Sequence, residues 1–112
     1  MTPEVDIATF AAAHADGAAV IDVREPHEYA GGHVPGALLV PVSELRSRLS
    51  DVPRGRPVYV ICASGNRSRA MADLLVDHGV PAHSVQGGTG AWVRAGRPVV
   101  AGAHPTAPER RA

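Results

Sequence analysis

A single cysteine, Cys62, stands in the stretch "VYVICASGNRSRAMADLLVDHG" (58–79), where an apolar run gives way to a helical pattern. Ala63, Ser64, Gly65, Asn66, Arg67 and Ser68 follow it. The thiolate, not the thiol, is the nucleophile. It is favoured by backbone N–H donors, by the positive end of a helix and by nearby cations. A strand ending at Cys62, a tight loop eased by Gly65 and a helix opening near Arg67 would supply all three. A structural cysteine buried where a strand ends fits the same context, and that is the ordinary fate of a free thiol.

Such a loop needs elements to hold it. "AVIDV" (19–23), "ALLV" (37–40), "VYVIC" (58–62) and "HSVQ" (83–86) are short runs bounded by turn residues. They predict strands, the first three of them buried. Residues 2–5 can add an edge strand. Helical segments lie between. Asp6 is suited to cap a helix from Ile7 to about Ala15, which Gly17 ends. "PHEYA" (26–30) predicts one short turn with Pro26 at its first position. Ser43 is expected to cap "ELRSRL" (44–49). "RSRAMADLLVDHG" (67–79) predicts the clearest helix, with Ala70, Leu74 and Leu75 inward and Gly79 as its stop. "GAWVRAG" (90–96) predicts a last one. Pro35-Gly36 suits the centre of a type II turn. Strands alternating with helices imply crossovers, hence an α/β fold with a mostly parallel sheet and helices on both faces. In such sheets the loops after the strands gather at one edge, where ligands bind.

At 112 residues the chain suits one domain, and its 45% apolar content is that of a globular protein. Acidic and basic residues number 11 each, so no charge excess points to nucleic acid or a membrane surface. Every basic side chain is arginine, which biased codon usage explains more simply than function does. No run approaches the ~20 apolar residues of a membrane span. "MTPEVD" lacks the charged start and apolar core of a signal peptide. One cysteine cannot staple a fold, so a reduced, cytoplasmic setting is expected. The domain is expected to end near residue 101. From Gly102, "GAHPTAPERRA" is poor in large apolar residues and predicts a mobile tail.

"CASGNRS" (62–68) resembles the active-site loop C-x-x-G-x-R-S of the rhodanese-like sulfurtransferases. "IDVREPHEYAGGHVPGALLVP" (21–41) resembles a second signature of that family, and "GGTGAW" (87–92) resembles its C-terminal element. The three stand in family order over about residues 3–100. The resemblance implies a three-layer fold around a five-stranded, mostly parallel sheet. It implies that Cys62 takes a sulfane sulfur from thiosulfate or a persulfide, becomes a persulfide, and passes the sulfur to cyanide or a thiol. The backbone N–H groups from Ala63 through Ser64, Gly65, Asn66 and Arg67 to Ser68 would cradle that sulfur. Arg67 would order the loop and offer positive charge. Asp22, Arg24 and Glu28 would support the framework, and His33 would order the turn before Pro35. A protein serving as sulfur acceptor, with the domain as its carrier, is the alternative use. No cofactor is implied. Thiol-dependent phosphatases place five residues between cysteine and arginine; this loop has four, a smaller ring suited to one sulfur atom.

The remaining candidates read more plainly. The six histidines are scattered and one cysteine gives no thiolate cluster, so no metal site is expected. "GGTG" (87–90) lacks the rest of a phosphate-loop fingerprint and reads as a strand-to-helix turn. Trp92 suits the core or a pocket wall. Arg69 suits either an anionic donor or a solvated helix face. Ser64 and Ser68 can donate to the loop but lack the G-x-S-x-G context of a nucleophile.

Overall fold

The computed structural model describes residues 3–106. Asp6 accepts the Thr9 N–H at 2.8 Å and starts α1 (Ile7–Ala15). Before it lies β1 (Glu4–Val5), and after it β2 (Ala19–Asp22), α2 (Pro26–Ala30) and β3 (Leu38–Leu39). A 3-10 segment (Val42–Asp51) leads to β4 (Val58–Ile61), α3 (Asn66–Asp77), β5 (Ala82–Val85) and α4 (Gly88–Arg94). The strands form one sheet in the order β1-β5-β4-β2-β3, and every pair is parallel. This is the expected α/β architecture.

β4 is central, paired with β2 from Ala19↔Val58 to Asp22↔Ile61 and with β5 from Val58↔Ala82 to Val60↔Ser84. Strand side chains alternate between faces. Val58, Val60 and Cys62 therefore share one core with Ala72, Leu74 and Leu75 of α3 and with Leu45 of the 3-10 segment. Ile61 joins the opposite core with Phe10, Tyr29 and Trp92 from α1, α2 and α4. There Phe10 meets Trp92 edge-on at 5.4 Å, an aromatic contact worth roughly 1 kcal/mol beyond area burial. The cysteine thus faces α3, and Trp92 is core on the far side of the sheet.

Several expectations need correction. Ala70 is exposed; the buried positions of α3 are Ser68, Ala72, Leu74 and Leu75. Ser68 sets this phase by turning towards the sheet, and Ala70 lies about 200° round the helix from it. Ser43 caps nothing: the segment starts at Pro41 without a side-chain cap and is kinked at Arg48, whose guanidinium bonds Glu44 and Asp51. β3 is an edge strand of two half-buried residues, not a buried run of four. The tail expected from Gly102 is tied down as far as Pro105: the Gly102 N–H donates to Ala30 O at 2.9 Å, and the Gly36 N–H to Pro105 O at 2.8 Å. Residues 107–112 of that tail, and Thr2 of the expected edge strand, lie outside the described residues. Val34 O accepts the Ala37 N–H across Pro35-Gly36, with Gly36 at φ +86°, the geometry of a type II turn.

Candidate active site

Cys62 follows β4 at the carboxyl edge of the sheet and is 1% exposed. The chain then turns through Gly65, whose φ of +111° no side chain adopts readily and whose missing Cβ lets Gly87 N approach. Gly65 is the N-cap of α3 and has no side chain to accept that helix's orphan N–H groups. The cysteine does so instead. Its Sγ accepts the Gly65 N–H at 3.1 Å and the Ser68 N–H at 3.4 Å, and Ser68 Oγ lies 3.5 Å away. Burial pushes the Cys62 thiol up. The Ser68 hydroxyl and the N–H groups of Ser68, Gly65 and Ser64 outweigh it, so the thiol sits below its ordinary value.

The loop is also held from behind. Cys62 O accepts the Thr89 N–H at 2.8 Å and its hydroxyl at 3.1 Å, and Ala63 O accepts the Gly90 N–H at 3.1 Å. In a trans peptide the N–H points opposite to the preceding C=O. Pinning the Ala63 carbonyl towards α4 therefore turns the Ser64 N–H away from α4, towards the sulfur. Gly88, at φ +57°, makes this approach possible: a Cβ there would stand 2.7 Å from Ala63 O.

Arg67 does not reach over the sulfur as a free charge. Its Nη1 and Nη2 grip Glu28 Oε1 and Oε2 at 2.8 and 3.0 Å, joining the start of α3 to α2. The Arg67 hydrogen bond holds the Glu28 carboxyl well below its usual range, at about 2. Asn66 is exposed, and its Oδ1 accepts from Arg69 at 3.0 Å. Ser64 is exposed, and Ala63 half-buried. Asp22 is buried in a bidentate pair with Arg24, whose Nη2 also donates to Gly32 O at 2.8 Å. These bonds fix the chain entering and leaving α2. His33 is buried with its ring stacked on Tyr29 and its nitrogens against Tyr29 O and Pro105 O.

Sequence reasoning missed Thr89, hidden in a turn-like "GGTG", and Ser84, a small polar residue beside His83 within a strand. Among the described residues no group of three or more His, Cys, Asp or Glu is placed to hold a metal ion. No helix among them is long and apolar enough to cross a membrane.

The site is thus a buried cysteine at a strand end that caps the next helix, with the N–H groups of Gly65 and Ser68 turned on its sulfur. Residues 7–95 match the rhodanese-like domain, and the chain belongs to that family. A sulfurtransferase of Allochromatium vinosum is 37% identical over 83 residues, which are 73% of this chain and 78% of that protein. An uncharacterised protein of Bacillus subtilis is 38% identical over 76 residues; the match spans 67% of this chain and 60% of that protein. The crystal structure of a thiosulfate sulfurtransferase from Pseudomonas aeruginosa superposes with a TM-score of 0.82 at 31% identity, covering 96% of this chain and 21% of the other. The family assignment is thus to a sulfurtransferase type of enzyme.

Proposed function

We propose that the protein moves a sulfane sulfur from thiosulfate, or from a low-molecular-weight persulfide, through a Cys62 persulfide to a thiophilic acceptor. The observation that carries this reading is the cap geometry: Sγ receives N–H donors from Gly65 at 3.1 Å and Ser68 at 3.4 Å, in a loop with four residues, Ala63 to Asn66, between Cys62 and Arg67. In the first step the Cys62 thiolate attacks the outer sulfur of thiosulfate. A new S–S bond forms, the old one breaks, and sulfite leaves with the bonding pair. In the second, cyanide or a thiolate attacks the outer sulfur of the persulfide. Thiocyanate or a new persulfide departs, and the Cys62 thiolate returns. The persulfide's negative outer sulfur occupies the ring of donors meanwhile, which needs no metal and no general base.

The chain has no second cysteine, so the persulfide has no internal thiol to resolve it and leaves only by transfer to an outside acceptor. Intact-protein mass spectrometry tests this. Thiosulfate alone is expected to add one sulfur atom, and cyanide or a small thiol to remove it. Thiocyanate formation is expected to vanish in Cys62→Ser. Equal rates for the parent and Cys62→Ser would overturn the reading.

A second use of the same chemistry is favoured by one feature. A polar cleft of about 230 Å³ flanks the loop, lined by Glu4, Ser64, Asn66, Arg69 and Gln86. A protein acceptor seated there would make the domain a sulfur carrier for a dedicated partner. Stoichiometric co-purification with negligible turnover on small donors would favour that use. Transfer to small thiols at rates matching thiosulfate loading would count against it.

A further inference from the structure

Ser84 lies on β5 with 0% exposure, on the face towards α3. Its Oγ is 2.7 Å from Ser68 Oγ, its side chain's hydrogen-bond partner among the described residues. Ser68 Oγ also lies 3.1 Å from Gly65 O and 3.5 Å from Cys62 Sγ. A hydroxyl has one proton to give and two lone pairs to accept with. The Gly65 carbonyl can only accept. The sulfur donates as a thiol and only accepts as a thiolate. The Ser84 proton, buried with one neighbour, goes to Ser68 Oγ, since the reverse arrangement would leave it without an acceptor.

We propose that Ser84 is a positioning residue: by donating to Ser68 Oγ it reserves the single Ser68 proton for the cysteine sulfur and the Gly65 carbonyl. The proposal rests on the reading of Cys62 as the working thiolate. With a neutral thiol, Cys62 donates to Ser68 Oγ and Ser68 donates to Gly65 O. When Sγ becomes an anion, the Ser68 hydroxyl rotates and donates to it. When the charge moves to the outer atom of a persulfide, the proton returns to Gly65 O. One hydroxyl rotor thus follows the charge through the cycle without a backbone movement, and Ser84 holds its oxygen in place throughout.

The test measures the rate of Cys62 alkylation by iodoacetamide from pH 5 to 9, followed by intact mass. Removing a hydrogen bond that acts one step from the charge is expected to slow Ser84→Ala by about three- to tenfold at pH 6. The plateau rate at high pH should be unchanged, because the thiolate itself still reacts. Ser84→Thr keeps the donor and should follow the parental profile. In a Ser68→Ala background, Ser84→Ala should add nothing. The proposal is overturned if the Ser84→Ala profile superimposes on the parent's or is lowered equally at every pH. It is also overturned if Ser84→Thr behaves like Ser84→Ala, or if the shift persists without Ser68. Alkylation does not depend on any sulfur donor. A protein that loads sulfur from neither thiosulfate nor a low-molecular-weight persulfide, yet shows the Ser84 shift, would refute the sulfur-transfer reading and leave the Ser84 role standing.

Discussion

Glu28→Gln keeps the size of the side chain that holds Arg67 and removes its charge. In the parent the Glu28 carboxyl sits at about 2, against an ordinary 4.5, chiefly because Arg67 donates to both oxygens. For an isolated group that displacement corresponds to roughly 3 kcal/mol. The two side chains are 27% and 38% exposed, so solvent screens the pair and about 1 kcal/mol is the expected contribution. The folded-state value lies below the unfolded one. The contribution is therefore complete above about pH 4.5 and is lost as the pH falls through about 2. Urea unfolding of parent and Glu28→Gln across pH 2 to 7 reads it directly. The parent should be more stable by about 1 kcal/mol at pH 6, and the two curves should converge towards pH 2. Added salt should narrow the gap at pH 6. A gap that stays constant over the whole pH range, or no gap at pH 6, would refute the assignment of the stabilisation to this ion pair.

Arg67→Lys should lower the thiocyanate-forming rate by about tenfold, because an ammonium cannot span both Glu28 oxygens as a planar fork does; a parental rate would reduce Arg67 to a nearby positive charge. Gly88→Ala should cost about 2–4 kcal/mol in urea unfolding, since the residue is at positive φ and its Cβ would press on the Cys62 and Ala63 carbonyls; unchanged stability would show that α4 docks on the loop less tightly than this. An aryl phosphate should not be hydrolysed in a Cys62-dependent way, because four residues between Cys62 and Arg67 make too small a ring; measurable turnover would contradict that size argument.

β2 and β4 were legible to within one residue, because a buried parallel strand must be a continuous apolar run and turn residues bound it; the shorter or more polar β1, β3 and β5 were placed less closely. The helices α1 and α2 were legible from Asp6 and Pro26, whose local chemistry decides them. What failed depended on partners distant in the chain. The sequence points Ala70 inward because alanine carries little hydrophobic signal, and the phase of α3 is set by Ser68 meeting Ser84, 16 residues on. The Cys62 loop and its helix were visible in spacing alone. The grip of Arg67 on Glu28, 39 residues away, and of Thr89 on Cys62 O, 27 away, exists only once the sheet has assembled. Gly102 looked like the start of a tail because composition reveals few large side chains and nothing about backbone bonding.

The stretch from Pro98 to Pro105 bears on where this domain can be cut. The family's common part ends at residue 95. Past that point Trp92 Nε1 donates to Pro98 O at 2.7 Å, and His33 and Val100 exchange a pair of backbone bonds at 2.9 Å. Gly102 and Pro105 then fasten to Ala30 and Gly36. A piece trimmed at the family boundary would lose these hydrogen bonds and that of His33 Nε2 with Pro105 O, each worth about 1 kcal/mol when its groups are buried. It would also uncover a tryptophan N–H and loosen the stretch behind α2, the helix that carries Glu28. The hydrogen-bonded stretch therefore runs about ten residues past the part that matches the family. A graft, fusion or minimal catalytic fragment drawn from this protein should carry that strap along.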